Sequence, residues 1–174
     1  GLAIDGRGHG ESEWNPADRP YSMQQFVGDL EHVARCARSR PILVGASMGG
    51  LLGLAAEGES ESGLFSALIL VDITPRWETR GVERILDFMG AHPRGFESLE
   101  AAADAISGYL PHRRRKTPSE LAGLLLAHPD GRWRWHWDPR LLDEVARDGE
   151  RHQERLQRAT ASVRIPTLLI SGTR

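Results

Sequence analysis

Ser47 stands in Gly45-Ala46-Ser47-Met48-Gly49, the G-x-S-x-G spacing. That spacing suits nucleophilic chemistry when an apolar strand leads in and a helix leads out. Pro41-Ile42-Leu43-Val44 supplies the strand, and Gly50-Leu51-Leu52-Gly53-Leu54-Ala55-Ala56 continues a helix expected from Met48 to Ala56. A tight turn between them would hold Ser47 in a strained backbone conformation with its hydroxyl clear at the top of a sheet. Glycines on both sides would keep side chains from colliding there. The same turn would aim the Met48 N–H where an oxyanion develops. The competing reading is an ordinary Gly/Ser turn.

Other reactive patterns point elsewhere. The glycine-rich turn Asp5-Gly6-Arg7-Gly8-His9-Gly10-Glu11-Ser12 fails as a dinucleotide fingerprint, because Glu11 and Glu13 occupy the third glycine position in either register. Gly45 to Gly50 has P-loop spacing, but Leu51 stands where the lysine belongs. His32, His92, His112, His128, His136 and His152 are scattered without metal-ligand spacing, so no metal is expected. Trp133, Trp135 and Trp137 alternate with Arg132, Arg134 and His136. A period of two predicts an extended segment with an aromatic face, packing a lid onto the core or lining a substrate pocket. Arg113-Arg114-Arg115-Lys116 reads as a solvated loop.

The elements that must position Ser47 follow from patterning. Leu2-Ala3-Ile4 reads as a buried strand end. Ser22 and Gln25 form a capping box with Tyr21 and Phe26 at the staple positions, opening a helix whose Met23, Phe26, Val27, Leu30, Val33, Ala34 and Ala37 share one face. Cys36 falls on its apolar side as a small core residue. Ala67 to Val71 is a continuously apolar strand, and Ile165 with Thr167 to Ile170 is another. Short apolar strands alternating with helices predict an α/β fold, a mostly parallel sheet covered by helices on both faces.

Residues 75 to about 161 turn helical in pattern. Phe96, Leu99, Ala103, Ile106 and Leu110 share a face, and Thr117-Pro118-Ser119-Glu120 is a capping box launching Leu121, Leu124 and Leu125. Leu141 to Ala161 reads as a charged surface helix with breaks. The division expected is a sheet core over 1–74 and 163–174, with a helical cap inserted over 75–162. Both ends look cut, since the chain opens on Gly1 within an apolar run and stops at Arg174 just after one.

Composition narrows the partners. The 174 residues carry a formal net charge of −2 and 40% apolar residues, with a pI near 6.4. That balance gives no reason to expect nucleic acid or an anionic membrane surface as partner. No apolar run reaches the roughly 18 residues of a membrane span. One cysteine excludes an internal disulfide framework and fits a reducing cytoplasm.

Three blocks in order carry a resemblance to the α/β-hydrolase superfamily. Asp5 to Ser12 resembles its D-x-R-G-x-G-x-S turn, Gly45 to Gly49 its nucleophile elbow, and Leu70-Val71-Asp72-Ile73-Thr74-Pro75 the strand end entering the cap. The resemblance implies Ser47 as nucleophile and the Met48 N–H as half the oxyanion hole. It places the acid just beyond Arg174, the histidine farther on, and the second oxyanion donor before Gly1. Some relatives keep the acid where Asp72 stands; the favoured reading of Asp72 is a carboxylate capping the turn. His9, beside the expected pocket, is then a structural hydrogen-bonding residue rather than the base. No cofactor is implied.

The function expected is hydrolysis of a small ester or related acyl compound through a serine acyl-enzyme, with these residues alone nearly inactive. The alternatives are a non-catalytic binding module with hydrolase ancestry, and a carbon–carbon bond hydrolase or cofactor-free perhydrolase sharing the serine. Serine rather than aspartate at the elbow argues against epoxide hydrolases and haloalkane dehalogenases.

Overall fold

The computed structural model describes residues 1–76 and 79–172, with the backbone alone over 144–150. The chain divides into two compact units. One comprises Arg19–Val82 with Glu144–Arg174, the other Gly1–Asp18 with Glu83–Asp143.

The first unit is built around a three-stranded parallel sheet in the order β1-β2-β5, from β1 (Ile42–Ala46), β2 (Ala67–Val71) and β5 (Thr167–Ile170). Val44 pairs with Ile69, and Ile69 with Leu168. Parallel neighbours need a crossover; α2 (Met48–Glu59) makes the one from β1 to β2. α1 (Met23–Cys36) opens on the expected capping box, with the Gln25 N–H donating to Ser22 Oγ at 3.4 Å and the Ser22 N–H to Gln25 Oε1 at 3.0 Å. Tyr21 stacks on Phe26, ring centroids 6.0 Å apart. The core gathers Met23, Val27 and Ala34 from α1, Leu54 to Ala56 from α2, Leu68 and Leu70 from β2, and Leu156 from α6 (Leu141–Ser162).

Two polar devices brace this core. The buried Glu57 carboxylate accepts the N–H groups of Leu64 and Phe65 at 2.8 and 2.9 Å, satisfying the loop that delivers the chain to β2. Arg155 of α6 forks onto both Glu59 oxygens at 2.6 and 2.7 Å and donates to Gln24 Oε1 at 2.8 Å. The bidentate geometry ties α6 to α1 and α2, and the bond to Glu59 raises the Arg155 pKa above its ordinary value.

α3 (Thr79–Gly90) follows β2 in the chain. In the second unit α4 (Leu99–Tyr109), α5 (Pro118–Leu121) and an antiparallel pair, β3 (Leu125–Ala127) with β4 (Trp133–Trp135), enclose Phe96, Ala102, Ala103, Leu121 and Leu125. Glu120 completes the α5 capping box by accepting the Thr117 N–H at 2.7 Å. Its carboxyl is lowered to about 2, first by the bond from Arg114 and then by the Thr117 N–H and hydroxyl.

Residues 1–18 pack in this unit rather than with the sheet, and the reason is backbone pairing. The Gly10 N–H donates to the His136 carbonyl at 2.8 Å, and the Asp138 N–H to the Gly8 carbonyl at 2.7 Å. Arg140, forked onto the buried Asp138, also donates to the Asn15 and Pro16 carbonyls at 2.6 and 3.1 Å. The turn is internally closed as well. Asp5 accepts the Glu11 N–H at 3.0 Å, and a Cβ on Gly10, at φ +52°, would lie 2.1 Å from Asp5 Oδ2.

Several sequence expectations are corrected. Leu2-Ala3-Ile4 is not a strand, and Leu2 and Ile4 are 79% and 48% exposed. No described strand pairs with it, so nothing satisfies its backbone as a ladder would. α1 and α2 pack against Leu68 and Leu70 of the sheet, while Ile42, Val44, Leu168, Leu169 and Ile170 remain exposed. Cys36 is exposed rather than core, its Sγ 3.9 Å from His32 Nε2, because α1 turns Ala34 inward instead. α5 stops at Leu121; Leu125 enters β3, where pairing opposite Trp135 buries it. α6 is continuous over its 22 residues, without the expected breaks.

Candidate active site

β1 delivers the chain to Ser47 at its C-terminal end, and α2 starts at the next residue. Ser47 adopts φ +48° and ψ −126°, a conformation that side chains with a Cβ rarely hold. Serine before a helix ordinarily spends its hydroxyl on an N–H of the first turn. Here no such side-chain bond forms, and Ser47 is exposed. The turn is held by backbone instead. The Ser47 N–H donates to the Val71 carbonyl at 3.4 Å, and the Ser47 carbonyl accepts the N–H groups of Gly50 and Leu51 at 3.0 and 3.2 Å.

The glycines have unequal duties. A Cβ on Gly45 would lie 2.6 Å from the Gly49 carbonyl carbon and the Gly50 nitrogen, an overlap with backbone that only displacement of α2 could relieve. A Cβ on Gly50 would come within 2.9 Å of the Gly45 oxygen and 3.0 Å of Ile73 Cγ1. Gly49, expected to share the duty with Gly45, faces open space. The close approach is between the end of β1 and the first turn of α2, so Gly50 takes the role that the motif suggests for Gly49.

Met48, partly exposed, is the first residue of α2, and no described acceptor takes its N–H. The first N–H groups of a helix have no partner within it and concentrate positive potential. An oxygen developing negative charge beside Ser47 would meet that field.

Asp72 ends β2 one step past Val71, which pairs with Ala46, so Asp72 and Ser47 follow adjacent strand ends. Among the described residues these two alone, glycine aside, have positive φ, +54° at Asp72. The Asp72 N–H donates to the Ile170 carbonyl at 2.7 Å, fixing the strand end against β5. Its carboxylate is exposed and takes no hydrogen bond from any described group, so it does not cap the following turn as expected. Sequence gave no sign of this pairing in strain, which depends on register between strands more than twenty positions apart.

The remaining candidates lie in the other unit. His9 has its Nδ1 3.1 Å from the Arg7 carbonyl and bridges to Trp137 through backbone, a structural arrangement. Trp133 and Trp135 lie on β4 as the alternation implies, and Trp137 continues the chain with its ring parallel to that of Trp135 at 6.4 Å. The β3–β4 hairpin itself went unread. Its signal is Pro129-Asp130-Gly131 between two apolar runs, with Gly131 at φ +80°.

Comparison with known proteins agrees with this fold. A sequence profile described as "Alpha/beta hydrolase family" matches residues 1–173. The chain is 30% identical over 148 residues to a 3-hydroxybutyrate-oligomer hydrolase of Cupriavidus necator, covering 80% of this chain and 50% of that protein. It therefore spans half the length of that curated relative. Among solved structures, E-2-(acetamidomethylene)succinate hydrolase superposes with a TM-score of 0.70 at 19% identity, covering 97% of this chain and 72% of the other. An esterase of M. tuberculosis superposes with a TM-score of 0.65 at 25% identity, covering 97% and 68%. The fold, the profile and the hydrolase relatives converge: this chain belongs to the alpha/beta hydrolase family.

Proposed function

We propose that this chain carries the nucleophile of a serine hydrolase that cleaves a small ester or related acyl compound through an acyl-enzyme. The observation behind this reading is Ser47 itself, an exposed serine at φ +48° that leads into a helix yet leaves the helix uncapped. A conformation costing about 1–3 kcal/mol persists where function uses it. Ser47 Oγ attacks the acyl carbon, its proton passes to a histidine, and the tetrahedral oxygen is held by the Met48 N–H and a second donor. In the sheet unit the histidines are His32 and His152, on α1 and α6 and not at strand ends. The base is therefore drawn from outside the sheet unit.

Asp72 is the residue we assign to orient that base. Its unspent carboxylate beside the Ser47 strand end supports the assignment over a position beyond Arg174. Residues 75–162 act as the cap that selects substrate, with Trp133, Trp135 and Trp137 in its pocket wall. The partner is a small molecule, no cofactor takes part, and the lone cysteine favours a cytoplasmic setting. Among the described residues no helix is long and apolar enough to cross a membrane.

Partitioning tests the acyl-enzyme. The full-length protein, given ethyl or p-nitrophenyl butanoate with added methanol, should form methyl butanoate and butanoic acid in one ratio for both substrates. A common intermediate forgets its leaving group. A ratio that changes with the leaving group would exclude a shared acyl-enzyme, and no turnover of any ester would favour the binding module.

A further inference from the structure

Away from Ser47, the sheet unit holds a cavity of about 430 Å3 between the end of α1, the approach to β1 and the loop that feeds β2. Its whole lining falls within residues 34–64, and so within one compact unit. The volume suits a small organic molecule. Arg40 stands two residues before β1, whereas Ser47 follows its last residue. The cavity therefore lies at the opposite end of that strand from the serine.

The lining is sorted by chemistry. Ala34 and Leu64, 8% and 3% exposed, form an apolar floor. Arg35, Ser39, Arg40 and Ser62 are exposed and make the rim. Arg40 is held across the cavity, since its Nη2 donates to the Ser62 carbonyl. Its other N–H groups, and all those of Arg35, meet no described acceptor, and neither guanidinium pairs with a described carboxylate. The Ser39 and Ser62 hydroxyls likewise make no bond to a described group. The buried Glu57 carboxylate beside Gly63 is committed to the Leu64 and Phe65 N–H groups and forms no ion pair with Arg40.

These unspent donors define the ligand. A planar guanidinium presents paired N–H groups that match the edge of a carboxylate or phosphate. Two of them, with two hydroxyls, offer more donors than the two oxygens of a carboxylate can take. A phosphate monoester brings three terminal oxygens and a charge of about −1.5 to −2 at pH 7, which two guanidiniums balance. We propose that this cavity is a binding site for a small organic phosphate monoester, its phosphate held by Arg35 and Arg40 and its organic group resting on Ala34 and Leu64. The site is separate from ester cleavage at Ser47 and does not depend on that reading.

n-Butyl phosphate, titrated into the 15N-labelled full-length protein, tests the assignment. The Nε peaks lost in Arg35→Gln and in Arg40→Gln identify the two guanidinium groups. Both peaks and the Gly63 amide should shift saturably with one dissociation constant, while the Met48 amide stays still. Judged at the same peaks, inorganic phosphate and butanoate should each bind at least about tenfold more weakly, the first for want of the apolar contact and the second of charge and oxygens. Arg35→Gln should weaken butyl phosphate about tenfold or more, the worth of a charge-assisted bond. Arg38→Gln removes the same charge from a residue outside the lining and should weaken it less than about threefold. Arg35 makes no described bond, so its loss leaves folding alone and the test stands even if Arg40→Gln misfolds. Shifts confined to Met48, a failure to saturate, equal losses in Arg35→Gln and Arg38→Gln, or inorganic phosphate or butanoate binding as tightly as the ester would each overturn the proposal.

Discussion

Replacing Ser47 by alanine should lower kcat for a short acyl ester about a million-fold in the full-length protein, because every step of an acyl-enzyme route passes through that oxygen. Stability should hardly change. The hydroxyl makes no capping bond to lose, and alanine keeps the Cβ that makes φ +48° unfavourable. Ser47→Gly separates the two effects. It should be equally inactive yet more stable, by about 1 kcal/mol, since glycine adopts positive φ freely. Initial-rate kinetics with p-nitrophenyl butanoate and urea unfolding of the three proteins would measure both. A residue serving only as a turn would show the stability gain without the loss of rate.

Asp72→Asn should lower kcat about 10,000-fold with little effect on KM, the signature of a base left in the wrong tautomer and orientation. Asparagine occupies positive φ nearly as readily as aspartate, so the strand end at φ +54° should be kept and the fold preserved. If the acid instead lies beyond Arg174, the same variant should lose less than about tenfold. If the carboxylate is only structural, the loss should appear in unfolding free energy and leave kcat alone. The pH profile gives an independent reading, since the limb reporting ionisation of the base should move in Asp72→Asn only when the two groups are coupled.

Legibility in the sequence followed the range of the interactions. The Ser22–Gln25 box, the Thr117–Glu120 box and the strand–turn–helix around Ser47 are specified within a few residues, and each formed as read. Local chemistry suffices there because the donors and acceptors of a cap are neighbours in the chain. The turn from Asp5 to Ser12 was legible as a turn, but not the company it keeps. Its partners, His136 and Asp138, lie more than a hundred positions away, and no local pattern announces such a pairing. For the same reason the local pattern places Leu125 in a helix, whereas it enters β3. An apolar residue after a cap suits a helix or a short strand equally, and pairing opposite Trp135 decided between them.

The site shows the same division. The tight turn at Ser47 and the helix start at Met48 could be read from spacing alone, and Gly45 as a close approach. That Gly50 rather than Gly49 bears the second contact depends on how α2 leaves β1. That Asp72 stands strained beside the serine's strand depends on parallel register, which a sequence read one segment at a time does not contain. The histidine has no counterpart to find among these strand ends.

Peptide mapping after exposure to a fluorophosphonate most directly tests whether the bend after β1 presents a reactive hydroxyl. With the full-length protein the reagent should add once, on the peptide containing Ser47, and the Ser47→Ala protein should take up none. A protein that hydrolyses esters while its label maps to another residue, or to none, would contradict the central claim.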